Sequence, residues 1–244
     1  MMKSLYFAAA ILLGTAASAA AADILVVRAN GPSAGKYPPG KSIPDSGKIT
    51  LLANDLLVLL DGRGTRTVRG PGTFLAGGPV HSANGDSSLS VITKGVSQRR
   101  ARIGAVRSVS AAPRSPSIWH VDVAKSATVC LAEPSNVTLW RPDASQAVTL
   151  SVTGSDGATR KLDWAKGEAT LALPADFKID ESASYRLSWD GAAAPTSLKF
   201  RTLSEKPAGL EDMASSLIKN GCEAQLDLLI ETVKLPEDQS PPLG

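Results

Sequence analysis

The chain has 244 residues, of which 43% are hydrophobic and 5% aromatic, and its formal net charge is +3 at pH 7. This length suits one or two domains, and four tryptophans with many valines and leucines suffice to build their cores. Because the net charge is near neutral, the protein surface as a whole is not basic, and any basic surface must be local.

The first 22 residues have the pattern of a secretory signal peptide. Lys3 precedes an apolar run at 5–13, and small residues follow with A-x-A cleavage motifs at 17–19 and 20–22. The run is too short and too rich in alanine for a membrane anchor, and no later segment is long enough to span a bilayer. We therefore expect a mature chain without a transmembrane segment in the bacterial periplasm, where nucleic acid is not an expected partner.

Residues 23–86 have the pattern of a small β-domain. The segment ILVVRA at 24–29 is typical of a strand, and the stretch at 47–74 is typical of further strands separated by turns at Asn54-Asp55 and Asp61-Gly62. No helical periodicity occurs in this part, so we predict an all-β unit.

Two well-known motifs overlap in GPSAGKYPPGKS at 31–42. The G-x-S-x-G pattern around Ser33 matches the nucleophile elbow of hydrolases, and the G-x-x-x-x-G-K-S pattern that contains Lys41 matches a phosphate-binding P-loop. Both motifs require a helix directly after the loop, but prolines at 38, 39 and 44 prevent one and remove backbone N–H donors. We interpret the stretch as a long, proline-bearing hairpin loop.

Residues 87–117 are predicted to form a basic helix and a linker. Apolar residues from Leu89 to Val106 recur at helical spacing, and SAAPRSPS at 110–117 is typical of a linker. No acidic residue occurs between Asp86 and Asp122. The positive residues of this region, which we call the basic island, are Lys94, Arg99, Arg100, Arg102, Arg107 and Arg114.

The basic island has two interpretations, and both stay open on the sequence. It would dock an anionic envelope component, such as an acidic protein, lipid headgroups or a cell-wall polymer. Alternatively, it is the solvated face of a helix whose apolar face packs on a sheet. On the first interpretation the candidate partner-binding residues are Lys94, Arg99, Arg100, Arg102 and Arg107.

Residues 118–203 alternate apolar and polar side chains with a period of two. Such stretches lie around Val121, Leu150, Leu162, Leu187 and Leu198, with turn signals between them. About seven short strands at this spacing predict an immunoglobulin-like or fibronectin-like β-sandwich, although the Cys-Trp-Cys spacing of true immunoglobulin domains is absent.

Residues 204–233 return to helical spacing and predict a helical pair. Leu210, Met213 and Leu217 line one face, Asn220-Gly221 is a stop signal, and a second apolar series begins at Cys222. The tail at 234–244 is rich in proline and polar residues, so we predict that it is disordered.

The chain has two cysteines, Cys130 and Cys222. In an oxidising compartment such a pair is typically bonded, and the alternative is two separate buried thiols. We expect a disulfide that clamps the helical pair onto the sandwich.

The histidines do not indicate a catalytic or metal site. His81 lies in a Gly-rich turn and His120 in a predicted strand, and neither spacing matches a ligand set with the two cysteines. We predict a protein that is not an enzyme and that uses no cofactor and no metal.

The stretch PGKSIPDSGKITLLANDLLVLLDGRGTRTVRGPGTF at 39–74 resembles the FecR-type periplasmic domain. The matching features are Gly40, Asp55, the Asp61-Gly62 turn and the ending RGPGTF. The resemblance implies a small, non-enzymatic β-structure of the kind found in envelope signalling and ligand-sensing proteins. The predicted fold class is therefore mainly β, with a small FecR-like β-domain, an Ig-like or fibronectin-like β-sandwich and a short C-terminal helical pair.

These expectations combine into a secreted binding module of the cell envelope, in periplasmic signalling or sensing. The alternative is a protein that binds cell-wall glycan, in which Trp140 or Trp164 would stack on sugar rings if exposed. Core packing is the competing interpretation for both tryptophans.

The hairpin interpretation of residues 31–42 predicts that Lys41→Ala has no effect on nucleotide affinity, since no phosphate site exists to lose. Isothermal titration of ATP into the mature chain and into the variant measures this. ATP binding by the parent that disappears in Lys41→Ala would restore the P-loop interpretation.

Overall fold

The computed structural model describes residues 23–78 and 114–235. Within these ranges the chain is mainly β, with several sheets, a β-sandwich and two C-terminal helices, as predicted. The predicted signal peptide at 1–22, the basic island apart from Arg114, His81 and the chain from 236 onward lie outside the described residues.

The N-terminal unit is a four-stranded antiparallel sheet with a separate two-stranded pair. The sheet has the order β2-β1-β4-β5, and β3 pairs with β6. The loop between β1 and β2 is the hairpin loop predicted from its prolines. The strands are β1 (Asp23–Asn30), β2 (Ser42–Pro44), β3 (Lys48–Leu51), β4 (Leu56–Asp61), β5 (Gly64–Arg69) and β6 (Gly72–Leu75).

Strands β1 and β4 are buried on both faces, which explains their nearly continuous apolar sequences. Ile24 and Leu59 point into a small core that the N-terminal unit forms by itself. Leu25 and Leu60 point the opposite way, into a second core that contains the C-terminal helices. The back of this sheet therefore needs a cover that the N-terminal unit does not supply.

The sandwich consists of a five-stranded sheet, ordered β11-β10-β13-β14-β8, and a three-stranded sheet, ordered β12-β9-β7. Its core lies between the sheets and includes Val121, Leu139, Trp164 and Phe200. Two pairings are parallel, β8 with β14 and β7 with β9. The strands are β7 (His120–Asp122), β8 (Ala127–Leu131), β9 (Thr138–Trp140), β10 (Val148–Thr153), β11 (Thr159–Trp164), β12 (Thr170–Ala172), β13 (Ser184–Ser188) and β14 (Thr196–Thr202).

Two features give the sandwich its immunoglobulin-like character. The order β10-β13-β14 matches the C-F-G order of immunoglobulin-like sheets. At the start of β13, the hydroxyl of Tyr185 accepts a hydrogen bond of 2.7 Å from the backbone N–H of Asp180. A tyrosine that bonds back to the chain just before this strand is the tyrosine corner of such domains.

The helices α1 (Leu210–Lys219) and α2 (Glu223–Thr232) meet at the predicted stop signal. Asn220 caps α1, and Gly221 takes a φ of +68°, a left-handed conformation that favours glycine. α1 packs on β1 and β4, whereas α2 contacts both β5 and β8.

The helical pair therefore fills the space between the two β-units, and our expectation that it caps the sandwich was incomplete. One core joins Leu25 and Leu60 of the N-terminal sheet to Leu217 and Leu229 of the helices and to Ile118 of the sandwich side. The reason is the uncovered back of β1 and β4, which buries the apolar face of α1.

The first two residues of the predicted tail, Lys234 and Leu235, lie within the described residues and contact β5. The N–H of Thr65 donates to the carbonyl of Val233 at 2.9 Å, and the N–H of Leu235 donates to the carbonyl of Thr65 at 2.8 Å. Residues 233–235 thus extend the edge of β5, and a Cβ at Gly64 would collide with the Val233 carbonyl.

The two cysteines lie in a disulfide bond, with Cα atoms 5.8 Å apart. Cys130 belongs to β8, and Cys222 immediately precedes α2, so the bond ties the helical pair to the edge of the five-stranded sheet. Both residues are fully buried.

We predict that loss of this disulfide lowers the free energy of unfolding by about 4–5 kcal/mol, because the closed loop spans 92 residues. The measurement is urea unfolding of the parent and of the double variant Cys130→Ala/Cys222→Ala. Non-reducing peptide mapping of the parent should recover the two cysteines linked. Free thiols on both residues, or equal stability of the two proteins, would contradict this.

Candidate functional site

The side chain of Gln225 connects helix α2 to the edge of the sandwich. Its Oε1 accepts a hydrogen bond of 2.6 Å from the N–H of Cys130, and its Nε2 donates to the carbonyls of Cys130 at 2.9 Å and of Ile118 at 2.8 Å. Gln225 is only 6% exposed. We call Cys130, Cys222 and Gln225 the joint.

Gln225 can pair with a strand edge because its side-chain amide carries a hydrogen-bond donor and an acceptor, as a peptide group does. β8 is an edge strand of its sheet, so the N–H and C=O of Cys130 face away from β14 and would be unsatisfied. Gln225 takes the place of a neighbouring strand at this position and pairs both groups in the dry interior.

A cleft of about 220 Å³ opens beside the joint, and we call it the joint cleft. One wall is the edge of β8, a second is β7 with the residues that precede it, and the third is α2. Most of the lining is apolar and comes from Ile118, Ala127, Val129, Ala224 and Leu228.

Ion pairs surround this apolar floor. Arg114 and Glu231 approach to 3.7 Å, and Lys125 and Asp122 approach to 3.5 Å. Both separations exceed the 2.7–2.9 Å that is usual for a charge-assisted hydrogen bond. The joint cleft therefore presents two loosely paired cations and two loosely paired carboxylates next to apolar surface.

Asp227, the third carboxylate of the lining, is engaged elsewhere. It forms an ion pair with Arg28 of β1, which links α2 to the N-terminal sheet. Asp227 therefore stabilises the contact between α2 and the N-terminal unit.

His120 also lines the joint cleft. Its Nδ1 is buried and has no hydrogen-bond partner among the described residues. Burial lowers the pKa of the imidazole, so the ring is neutral at neutral pH. In the neutral ring one nitrogen is a hydrogen-bond donor and the other is an acceptor.

The described residues include none of the five residues that the sequence proposed as a partner-binding site. Lys94, Arg99, Arg100, Arg102 and Arg107 lie outside the described residues, so their arrangement stays a prediction. Arg114, which closes the basic island, lies on the rim of the joint cleft.

The polar groups of the hairpin loop at 31–42 bond within the N-terminal unit. Lys41 donates from Nζ to the carbonyl of Lys36 at 2.8 Å, and its ammonium lies 5.4 Å from the ring centre of Tyr37. The N–H of Ser33 donates to the carboxylate of Asp55 at 2.9 Å. Burial opposes ionisation of Asp55, but its hydrogen bonds from Ser33 and Leu52 outweigh this and lower its pKa. The loop residues thus support their own turn.

The two tryptophans that were candidates for sugar stacking lie in the interior. Trp140 is 4% exposed and Trp164 is 1% exposed. The guanidinium of Arg141 lies 4.8 Å from the centre of the Trp164 ring and covers it. A glycan-binding role through these two side chains is therefore excluded, because neither ring is accessible to a sugar.

Residues 23–78 and 114–235 contain no group of three or more His, Cys, Asp or Glu side chains placed to hold a metal ion. None of the helices in these ranges is long and apolar enough to cross a membrane.

No protein-family model, no curated protein and no solved structure matches the chain.

Sequence reasoning missed Gln225, although its position carried a signal. It lies three residues after Cys222 and one before Leu226, on the inward face of an otherwise apolar helix. A polar side chain at such a position must find hydrogen bonds in the interior. The sequence could not reveal that its partners are Cys130 of β8, 95 residues earlier, and Ile118, 107 residues earlier.

We predict that Gln225→Met lowers the free energy of unfolding by about 3 kcal/mol, because three buried backbone groups lose their partners at roughly 1–3 kcal/mol each. Methionine keeps the length and linear shape of glutamine, so packing loss is small. Gln146→Met, on the exposed loop before β10, is the matched control and should be neutral. Urea unfolding measures both, and equal stability of the two variants would contradict the role of the joint.

Proposed function

We propose that this protein is a secreted, non-enzymatic interaction module of the bacterial envelope, in periplasmic signalling or sensing. The observation that carries the proposal is the joint cleft. Two β-units share one helical core and one disulfide, and the cleft that remains open at their junction has apolar walls and a charged rim. Concave, mainly apolar sites with a few polar groups are typical ligand sites.

Export to the periplasm is supported by two independent features. The first 22 residues have the composition of a signal peptide. Cys130 and Cys222 lie in a disulfide, which persists in oxidising compartments such as the periplasm.

The FecR-type resemblance supports the signalling part of the proposal. Its features fall at the turns and ends of β2 to β6, which form an all-β unit. In this proposal the N-terminal unit is a FecR-like domain, which implies a place in a sensing or signalling complex rather than in catalysis.

The basic island is the proposed contact with the partner, an envelope protein or another anionic envelope component. Its six positive residues occur without one acid between Asp86 and Asp122. A solvated face usually mixes both signs, which limits repulsion between its own charges. The unmixed charge therefore supports an acidic partner as one of the two interpretations of the basic island.

Charge reversal within the basic island tests this contact. The triple variant Arg99→Glu/Arg100→Glu/Arg102→Glu should lose at least nine-tenths of the partner recovered when the immobilised mature chain is exposed to envelope extract. Recovery by the parent should fall steeply as salt rises, because exposed charges are screened beyond roughly 10 Å at 0.1 M.

The matched control changes the net charge equally at exposed lysines of the sandwich. Lys161→Glu/Lys166→Glu/Lys199→Glu should retain the partner, and circular dichroism should show all three proteins folded. If the island variant retains every partner of the parent, the basic island is only a solvated face. If both variants lose the partner alike, net charge rather than a docking surface is responsible.

A further inference from the structure

We infer that the joint cleft binds short free peptides of two or three residues that carry an apolar side chain. This inference rests on the proposed function, since it names a ligand class for an interaction module. The three parts of such a ligand are its backbone amide, its apolar side chain and its two charged ends. Each part has a matching element in the cleft.

The backbone amide would pair with the uncovered edge of β8. The register with β14 is regular from Ala127 to Leu131, and Leu131 accepts a hydrogen bond of 2.9 Å from Leu203 on that side. Cys130 turns its N–H and C=O to the open side, where Gln225 takes them up. Because alternate residues of a strand point their backbone groups to the same side, those of Thr128 face the open edge as well. Thr128 lies between Ala127 and Val129, which both line the cleft. An extended peptide can add to such an edge.

Gln225 and the cleft volume limit the length of the ligand. The amide of Gln225 occupies the next edge position, so a strand cannot continue past Thr128 toward Cys130. The cleft holds about 220 Å³, whereas a cavity of about 150 Å³ accommodates a benzene molecule. The apolar floor therefore accepts one aliphatic or aromatic side chain of moderate size.

The rim of the cleft suits a ligand with one charge of each sign. Arg114 lies 3.7 Å from Glu231, and Lys125 lies 3.5 Å from Asp122, so each pair leaves room for closer partners. A free dipeptide offers a carboxylate to Arg114 or Lys125 and an ammonium to Glu231 or Asp122.

The test is titration of the isotope-labelled mature chain with the dipeptides Ala-Ala, Ala-Val, Ala-Leu and Ala-Phe, followed by NMR. At least one should shift the amide signals of residues 118–131 and 224–231 in a saturable manner. The doubly blocked form, N-acetylated and C-amidated, should bind at least tenfold more weakly, because hydrogen bonds to charged groups are the stronger ones. Free leucine, which has the charges but no peptide bond, should also bind more weakly.

Variants assign the binding to the cleft. Arg114→Gln and Lys125→Gln should each weaken the best dipeptide several-fold, and Ala224→Trp, which fills the cleft from an exposed helix position, should abolish binding. Lys161→Gln and Ala194→Trp are exposed, distant controls and should bind as the parent does. Circular dichroism and melting confirm that each variant is folded.

Three outcomes would overturn the inference. The first is the lack of saturable shifts at these residues with any of the four dipeptides at millimolar concentration. The second is equal affinity for the blocked and free forms, and the third is unchanged affinity of Ala224→Trp. None of these outcomes touches the capture of an envelope partner by the basic island, which is measured without dipeptides, so failure of this inference and failure of the proposed function are distinguishable.

Discussion

Cys130 is the residue on which the arrangement of the whole molecule depends. Its sulfur is bonded to Cys222, while its N–H and C=O are both bonded to the side chain of Gln225. Three connections from one strand residue to one helix fix both the position and the rotation of α2 against the sandwich. Because α2 is also packed on β5 and carries α1 with it, the placement of the N-terminal unit follows from the same contacts. A disulfide alone would leave rotation about its bonds, and the amide of Gln225 removes that freedom.

The shared core explains why α2 and the N-terminal sheet bury apolar residues on more than one side, whereas α1 has an ordinary one-sided pattern. α1 buries a narrow stripe of Leu210, Met213 and Leu217 against a single sheet. α2 lies between two units, so its apolar residues spread over a wider arc and Leu228 reaches the cleft wall. β1 and β4 likewise face a core on each side. Each of these elements would expose apolar surface if the two units separated, so the fold stabilises one relative placement of the units.

Local patterns in the sequence predicted most of the elements, and contacts between distant residues produced what they missed. Alternation identified the stretches of β10, β13 and β14, the Asn220-Gly221 signal placed the helix ends, and the prolines excluded a helix after residue 31. β8 and β9 are short and lack clear alternation, so they had no signal of their own. The long apolar run at 56–60 indicated a strand, but only the structure showed that α1 covers its second face. The sequence could not predict the joint cleft for the same reason. Two of its walls come from β7 and β8, and the third comes from α2, which follows about 100 residues later in the chain.

The charges around the joint cleft also explain how an open strand edge is tolerated. An uncovered edge invites pairing with the edge of another chain, and native proteins oppose this with short strands and flanking charges. β8 has only five residues, and Gln225 occupies one of its two outward positions. The cleft beside this edge is also lined by Arg114, Glu231, Lys125 and Asp122. A long apolar strand would have to remove these two loose ion pairs from water, which is costly. A short ligand that carries its own two charges avoids that cost, so the same residues that protect the edge from another strand make it selective for a small peptide.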